Sequence, residues 1–322
     1  MACMTIWFVF NGDADGLCAA HQLRLAGHTP EHVVTGVKRD IGLLARCDAQ
    51  AGDAVWVADI SLDSNRAALE VLLARGVRVT WFDHHHAGVL PAHANLQAHI
   101  DPSAAVCSSL LVDHHLGGLY RAWAVTAAFG DNLVESARIA ARDLGLTSAE
   151  LDQLAQLGTL MNYNAYGESV ADLRVDPAAL FARMAAWNDP REFIAHDPFV
   201  ADLRATMSED LAAARGAPVL HQDTGAAAIQ LPALPWARRA QGIFANELAR
   251  EHPQRAHAIV VETPLGYSVS VRAPVSRPQG ADALCRQFAT GGGRSAAAGI
   301  NQLPREDLDR FLAAFRLAYP AR

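Results

Sequence analysis

Short apolar runs alternate with turns over the first hundred residues, and the turns carry glycines and acids. Ile6 to Phe10, His32 to Val37, Ala54 to Asp59, Val77 to Phe82 and Leu96 to Ile100 read as strands. Between them, Leu17 to Ala26 has helical composition and stops at Gly27. Asp63 is placed to cap a helix through Ala74, which Gly76 would end. This order predicts an α/β fold whose N-terminal sheet is mostly parallel and flanked by helices on both faces.

From Ala104 the pattern turns helical, with helices expected at Ala105 to Leu116, Asn132 to Leu144, Ser148 to Met161 and Pro177 to Trp187. Asp189-Pro190 and Asp197-Pro198 bracket a change of character, and Phe199 to Arg215 reads as a connecting helix. A second α/β pattern follows. Strands are expected at Ala226 to Leu231, His257 to Glu262 and Tyr267 to Arg272, with helices at Arg239 to Glu251 and Ala281 to Ala289. The division expected is a domain over residues 1–195, a connecting helix over 196–216 and a smaller α/β domain with a mixed sheet over 217–322.

At 322 residues the chain can bury two modest cores. Its five cysteines, Cys3, Cys18, Cys47, Cys107 and Cys285, are scattered and form no Cys-x-x-Cys pair, so they suit a reducing compartment rather than a disulfide framework. The apolar start, Met4 to Phe10, lacks a basic leader and is too short to span a bilayer, which predicts a cytoplasmic protein without membrane attachment. A net charge of −7 without a basic tract argues against long duplex DNA as a partner and leaves room for a small anionic substrate. Homodimer formation stays open. Lys38 is the sole lysine; codon bias accounts for that, and so would a compact phosphate contact that guanidinium makes less well.

Candidate chemistry gathers where apolar runs stop. Asp83-His84-His85-His86 follows Val77 to Phe82, Asn11-Gly12-Asp13-Ala14-Asp15-Gly16 follows Ile6 to Phe10, Asp59 ends Ala54 to Ala58, and Asp131 follows the apolar run Ala122 to Phe129. Ligands bind at the carboxyl ends of strands in open α/β sheets. Each feature alone has an ordinary structural reading, as a turn, a cap or a solvated run. Crowded together they would repel one another unless a cation neutralised them, which points to a divalent metal. A second string, Asp113-His114-His115, lies on an expected helix where adjacent residues face different ways, and is given a structural role.

These four motifs, in order and spacing, resemble those of the DHH phosphoesterase superfamily. Ser270-Val271-Arg272 and the glycine-rich Gly291 to Gly299 resemble the strand and loop of its DHH-associated C-terminal domain. The resemblance implies a DHH catalytic domain followed by a substrate-binding domain, and a site of two divalent cations, manganese in the first instance with magnesium as the alternative. Asp13 would serve one ion, Asp15, His84 and Asp131 the other, and Asp59 would bridge them. Asp59, His85 and Asp83 form the expected catalytic set, with His85 near the substrate phosphate and Asp83 orienting the histidines. Two departures stand out: Val9 replaces the histidine that small-nucleotide branches carry four residues before the first Asp, and Arg294 replaces the histidine of the glycine loop.

The activity so implied is a manganese-dependent phosphodiesterase or exonuclease acting on short single-stranded oligonucleotides or small nucleotides, through a hydroxide activated by two ions. Arg272, Arg294, Lys38 and the amides of Gly291, Gly292 and Gly293 are the expected phosphate contacts. The alternatives are a phosphoanhydride hydrolase of the pyrophosphatase or exopolyphosphatase type and a catalytically silent nucleotide-binding protein. Asn162 to Gly167 could offer rings and amides to a base, or simply end a helix.

Overall fold

A computed structural model describes residues 4–321; Cys3 lies outside them. The chain divides into two compact units, Met1–Arg204 and Ala205–Arg322.

The first unit is built on a five-stranded sheet of β1 (Ile6–Phe10), β2 (His32–Val34), β3 (Ala54–Ala58), β4 (Arg78–Asp83) and β5 (Leu96–Ile100), with α1 (Ala14–Leu25) and α2 (Arg66–Ala74) between strands. Spatial order is β2-β1-β3-β4-β5, and every pairing is parallel. The order therefore reverses between β1 and β3, the switch point at which such sheets open a crevice beyond the strand ends. On one face, Val55, Val57, Val79 and Trp81 pack against Leu69, Leu72 and Leu73 of α2. The second strand is shorter than the expected His32 to Val37. From Thr35 the chain leaves the sheet, and the Lys38 amide donates to the Ala165 carbonyl at 2.9 Å instead.

Beyond β5 come α3 (Ser108–His115), α4 (Arg121–Gly130), α5 (Val134–Ala140), α6 (Ser148–Ala165), α7 (Pro177–Met184), α8 (Pro190–His196) and α9 (Pro198–Arg215). The run Ala122 to Phe129 is a helix, so Asp131 caps a helix C-terminus rather than following a strand. Its alanine-rich sequence has high helix propensity, and Trp123 to Ala128 are all buried, which erases the amphipathic signature. The helix expected from Asn132 starts at Val134 because Asn132 is left-handed, with φ 60°. Thr147 and Glu150 close both hydrogen bonds of a capping box at the start of α6. That helix runs past Met161 to Ala165, so Asn162, Tyr163 and Asn164 are buried helical residues. Asp176-Pro177 and Asp189-Pro190 open α7 and α8 as cap and first helical residue.

The division between the units falls within α9. The second unit adds β6 (Val219–Gln222), β7 (Ala226–Leu231), α10 (Pro235–Glu251), β8 (Ala256–Thr263), β9 (Gly266–Arg272), α11 (Ala281–Cys285), β10 (Gly291–Gly293), β11 (Ala297–Leu303) and α12 (Leu308–Ala318). Its sheet has the order β10-β11-β9-β8-β7-β6 and is mixed, parallel only between β7 and β8. Ala226, Ala228, Ala258, Val269 and Val271 share a core with Phe311 and Phe315 of α12. The helix expected over Ala281 to Ala289 ends at Cys285, and the glycine run is one arm of a β-hairpin rather than a loop. No helix among the described residues is long and apolar enough to cross a membrane.

Candidate metal centre

All the centre's side chains belong to the first unit. Asp13 is the N-cap of α1: its Oδ1 accepts the amides of Asp15 and Gly16 at 3.1 and 3.2 Å. The tight approach requires glycine on both sides. A Cβ on Gly12 would stand 2.0 Å from the Gly36 carbonyl oxygen, and one on Gly16 would stand 2.1 Å from that of Asn11. Asp15, fully buried, accepts the amides of Ser108 and Ser109 through its two oxygens, each at 2.7 Å. It thus ties the first motif to the N-terminus of α3, whose dipole favours a carboxylate.

Asp59 follows β3 with φ 56°, a left-handed conformation that acidic and amide residues tolerate better than most, yet uncommon enough to mark a functional position. Its amide donates to the Phe82 carbonyl at 3.0 Å, which locks the turn to the end of β4. Asp131 is brought in by close helix packing. A Cβ on Gly158 would stand 2.3 Å from the Thr126 carbonyl oxygen, so α4 and α6 meet backbone to backbone there. Asn162 then bridges the motifs, accepting the Ala14 amide at 2.9 Å and donating to the Gly130 carbonyl at 2.6 Å.

His84 joins the carboxylates from the end of β4. Its Nδ1 lies 2.9 Å from the Val106 carbonyl, an acceptor, so Nδ1 is the donor of that hydrogen bond. Nε2 faces Asp59 Oδ1 at 3.4 Å and Asp131 Oδ2 at 3.7 Å. Two buried carboxylates converging on one imidazole nitrogen suit a cation between them. Donors about 2.1 Å from a tetrahedral ion lie about 3.4 Å apart, so the hole has the right size for a divalent metal. The side chains of His84 and Asp131 pass this test of fit, as does that of Asp59.

Electrostatics agree. Burial, then the neighbouring Asp13, Asp15 and Asp131, push the Asp59 carboxyl well above the usual range, with Lys38 opposing. Asp131 is pushed up to about 7 by burial and by Asp15 and Asp13, against the pull of Lys38. Burial would raise Asp13 too, but the charge and hydrogen bond of Lys38 bring it below its ordinary value. His85, with 48% of its side chain exposed, is held by its Nδ1 at 2.6 Å from the wholly buried Asp83, and that hydrogen bond raises its pKa.

No protein-family model matches the chain, and no curated protein matches it. Solved structures do. An exonuclease RecJ bound to manganese matches with a TM-score of 0.61 at 19% identity, over 98% of this chain and 90% of its own. A pGpG-specific phosphodiesterase, PggH from Vibrio cholerae, matches at 0.55 and 18%, over 96% and 97% of the two chains. The chain has the RecJ-like fold. RecJ from Thermus thermophilus in complex with Mn2+ matches at 0.55 and 18%, over 99% of this chain, which spans about half of that longer protein (53%).

On this RecJ-like frame Asp13, Asp15, Asp59, His84 and Asp131 meet at one crevice of the first unit, with His85 and Asp83 beside them. Lys38, expected to meet substrate, is drawn to the ligands themselves: Nζ contacts Asp13 Oδ2 and stands 3.6 Å from Asp131 Oδ1. Cys107 belongs to the cluster as well, its sulfur within 4.8 Å of Asp15 and Asp131 carboxylate oxygens. Burial and those two carboxylates push its thiol up. The motif gives Cys107 no mark; the one trace in the sequence is the pair Ser108-Ser109 ahead of an apolar helical run.

The other string is elsewhere employed: Asp113 accepts from Arg121 Nε at 3.0 Å, and the His115 ring packs against Phe82 and His99. Asn162 and Asn164 use their amides internally, Asn164 on the backbone of Val175, so neither is free to read a base.

In the second unit, Arg272 Nε donates to Asn246 Oδ1 at 2.5 Å and Nη1 to Ser270 Oγ at 3.0 Å. The Gly291 amide donates to the Phe288 carbonyl at 2.9 Å, and a Cβ there would stand 1.7 Å from the Cys285 carbonyl oxygen. Gly291 is thus a packing glycine whose amide is already engaged. Gly293 is likewise a packing glycine, with φ 133° and its Cα face against Ala298. Gly292 faces open space, and Arg294 beside it is exposed.

Proposed function

We propose that the chain is a divalent-metal-dependent phosphoesterase that hydrolyses phosphodiester bonds in short single-stranded oligonucleotides or small nucleotides. The reading is carried by one observation: the Nε2 of His84 faces the carboxylates of Asp59 and Asp131 at ion-ligand spacing, 3.4 and 3.7 Å. Asp59, His84 and Asp131, backed by Asp15, would hold the ion, which supplies Lewis-acid polarisation of a phosphoryl oxygen and of the attacking water.

The chain's own residues do the rest. The Val106 carbonyl orients the His84 ring, and the Phe82 carbonyl holds the backbone of Asp59. His85, protonated more readily because Asp83 accepts at Nδ1, lies beside Asp59 and His84 and would donate to a non-bridging phosphate oxygen. Arg294 is the second unit's exposed candidate for a further phosphate. The net charge of −7 favours short substrates over long polymer, whose affinity depends on many phosphate contacts.

Incubation with Mn2+ or Mg2+ and a panel of labelled dinucleotides, phosphoadenosine phosphate, cyclic dinucleotides and pyrophosphate tests the reading. Release of mononucleotides supports it. Phosphate from pyrophosphate alone would make the protein a phosphoanhydride hydrolase, and binding without turnover of any substrate would make it a silent nucleotide binder.

A further inference from the structure

Lys38 is the chain's sole lysine, every other fixed side-chain cation being arginine, and its ammonium lies among the carboxylates of the centre. We propose that this ammonium stands in for a second divalent ion, so that the centre takes one metal ion and not two. The inference rests on the metal-dependent reading above and concerns how many ions that site accepts.

Asp13 is the reason. Its Oδ1 is engaged by the Asp15 and Gly16 amides at the start of α1, and its Oδ2 is in contact with Lys38 Nζ. An ion bound through Oδ2 would sit about 2.1 Å from that oxygen, in the space the ammonium fills, and the two cations would repel at close range. Nor does Asp13 have a second donor beside it on β1, since the position four residues earlier is Val9, wholly buried in the apolar core.

Lys38 is also no wandering surface lysine. Its amide donates to the Ala165 carbonyl at 2.9 Å and its carbonyl accepts from Asn11 Nδ2 at 3.1 Å, so its backbone is tied to the end of α6 and to the motif that carries Asp13. The stem therefore starts from a fixed point and delivers a compact, tetrahedral charge; a planar guanidinium of larger span would need a wider opening. With Asp13 engaged by Lys38, the ligands that remain converge on His84 Nε2, which faces Asp59 at 3.4 Å and Asp131 at 3.7 Å; His85 adjoins Asp59 and His84, and Asp15 and Cys107 adjoin Asp131. One mobile cation and one covalently attached cation would then share the phosphoryl group between them.

The test is metal counting on the full chain. Equilibrium dialysis against Mn2+ followed by elemental analysis should give one ion per chain, with the six-line electron paramagnetic resonance signal of an isolated Mn2+. Lys38→Met, which keeps the stem and drops the charge, should raise the count to two and produce an exchange-coupled spectrum. Two ions bound to the unaltered chain would overturn the proposal without any variant, and a count that stays at one in a folded Lys38→Met would overturn it equally. If the unaltered chain binds no ion, or His84→Ala leaves the count unchanged, it is the metal-dependent reading itself that fails.

Discussion

Asp131 links metal binding to protons in a way that can be measured. Its carboxyl is pushed from 3.8 up to about 7, by burial first and then by Asp15 and Asp13, with Lys38 opposing. Between those two values the metal-free native state holds a proton that the unfolded chain has released. Stability is therefore fully present below pH 3.8 and falls as pH rises through about 7. The full span is about three pH units, or about 4 kcal/mol at 1.4 kcal/mol per unit; from pH 5 to pH 7 it is about 2 kcal/mol, because the group is half-ionised at its own pKa. Asp59 and Asp13 face Asp131, so the figure belongs to the cluster rather than to one oxygen. Against a total stability of about 5–15 kcal/mol this is large, and for a unit of some two hundred residues it corresponds to a fall in Tm of about 5–10 °C. A bound divalent ion removes the penalty, so Mn2+ should raise Tm far more at pH 8 than at pH 5. Melting curves in EDTA and in saturating Mn2+ at pH 5, 6, 7 and 8 give the comparison. Titration calorimetry in buffers of different ionisation enthalpy counts the protons, about 0.9 released per ion from Asp131 at pH 6 and about 0.1 at pH 8. A metal-free Tm that is flat or rises between pH 5 and 7, with no proton release at pH 6, would refute the carboxylate-crowding argument.

Asp59→Asn keeps a residue that accepts left-handed φ and removes one repelled buried charge. It should raise the metal-free Tm at pH 8 by several degrees while weakening Mn2+ binding at least about tenfold, measured on the same preparation. Asn162→Ala leaves the Ala14 amide and Gly130 carbonyl without their partner, and should lose about 2–5 kcal/mol in urea unfolding together with Mn2+ affinity. Gly291→Ala drives a Cβ into the Cys285 carbonyl and should destabilise the second unit by about 3 kcal/mol or more, whereas Gly292→Ala, facing open space, should stay within about 1 kcal/mol. Equal tolerance of the two glycine substitutions in thermal melts would show that the hairpin reading is wrong.

The strand ends of the first unit were legible because an apolar run stopping at an acid is a local signal: β1, β3 and β4 deliver Asp13, Asp59 and His84 where the runs end. Asp131 gave the right residue through the wrong element, since an alanine-rich run buried all round has no period to distinguish helix from strand. The glycine run misled for a related reason. Glycines that permit a backbone to lie against Cys285 and Ala298 look in sequence like glycines that cradle a phosphate. Leu308, Phe311, Leu312 and Phe315 carry the helical spacing of α12, a helix absent from the predicted elements although its pattern is present. Lys38 could be singled out by its rarity, but its partner lies 25 residues away across a parallel crossover, and no local pattern encodes that meeting.

The same long-range logic explains why the centre survives without being swept apart by its own charge. Asp13 and Asp15 each point oxygens at a helix N-terminus, Asp13 at α1 and Asp15 at α3, so part of their charge is already met by backbone amides before any ion arrives. Lys38 offsets a further charge at Asp13. What remains uncompensated is concentrated on Asp59 and Asp131, the two carboxylates whose pKa values are raised and which His84 Nε2 faces. Frustration is thus not spread over the cluster but focused on Asp59 and Asp131, where a divalent ion would relieve it, and this focusing, more than the number of acids, is what makes the position a candidate site.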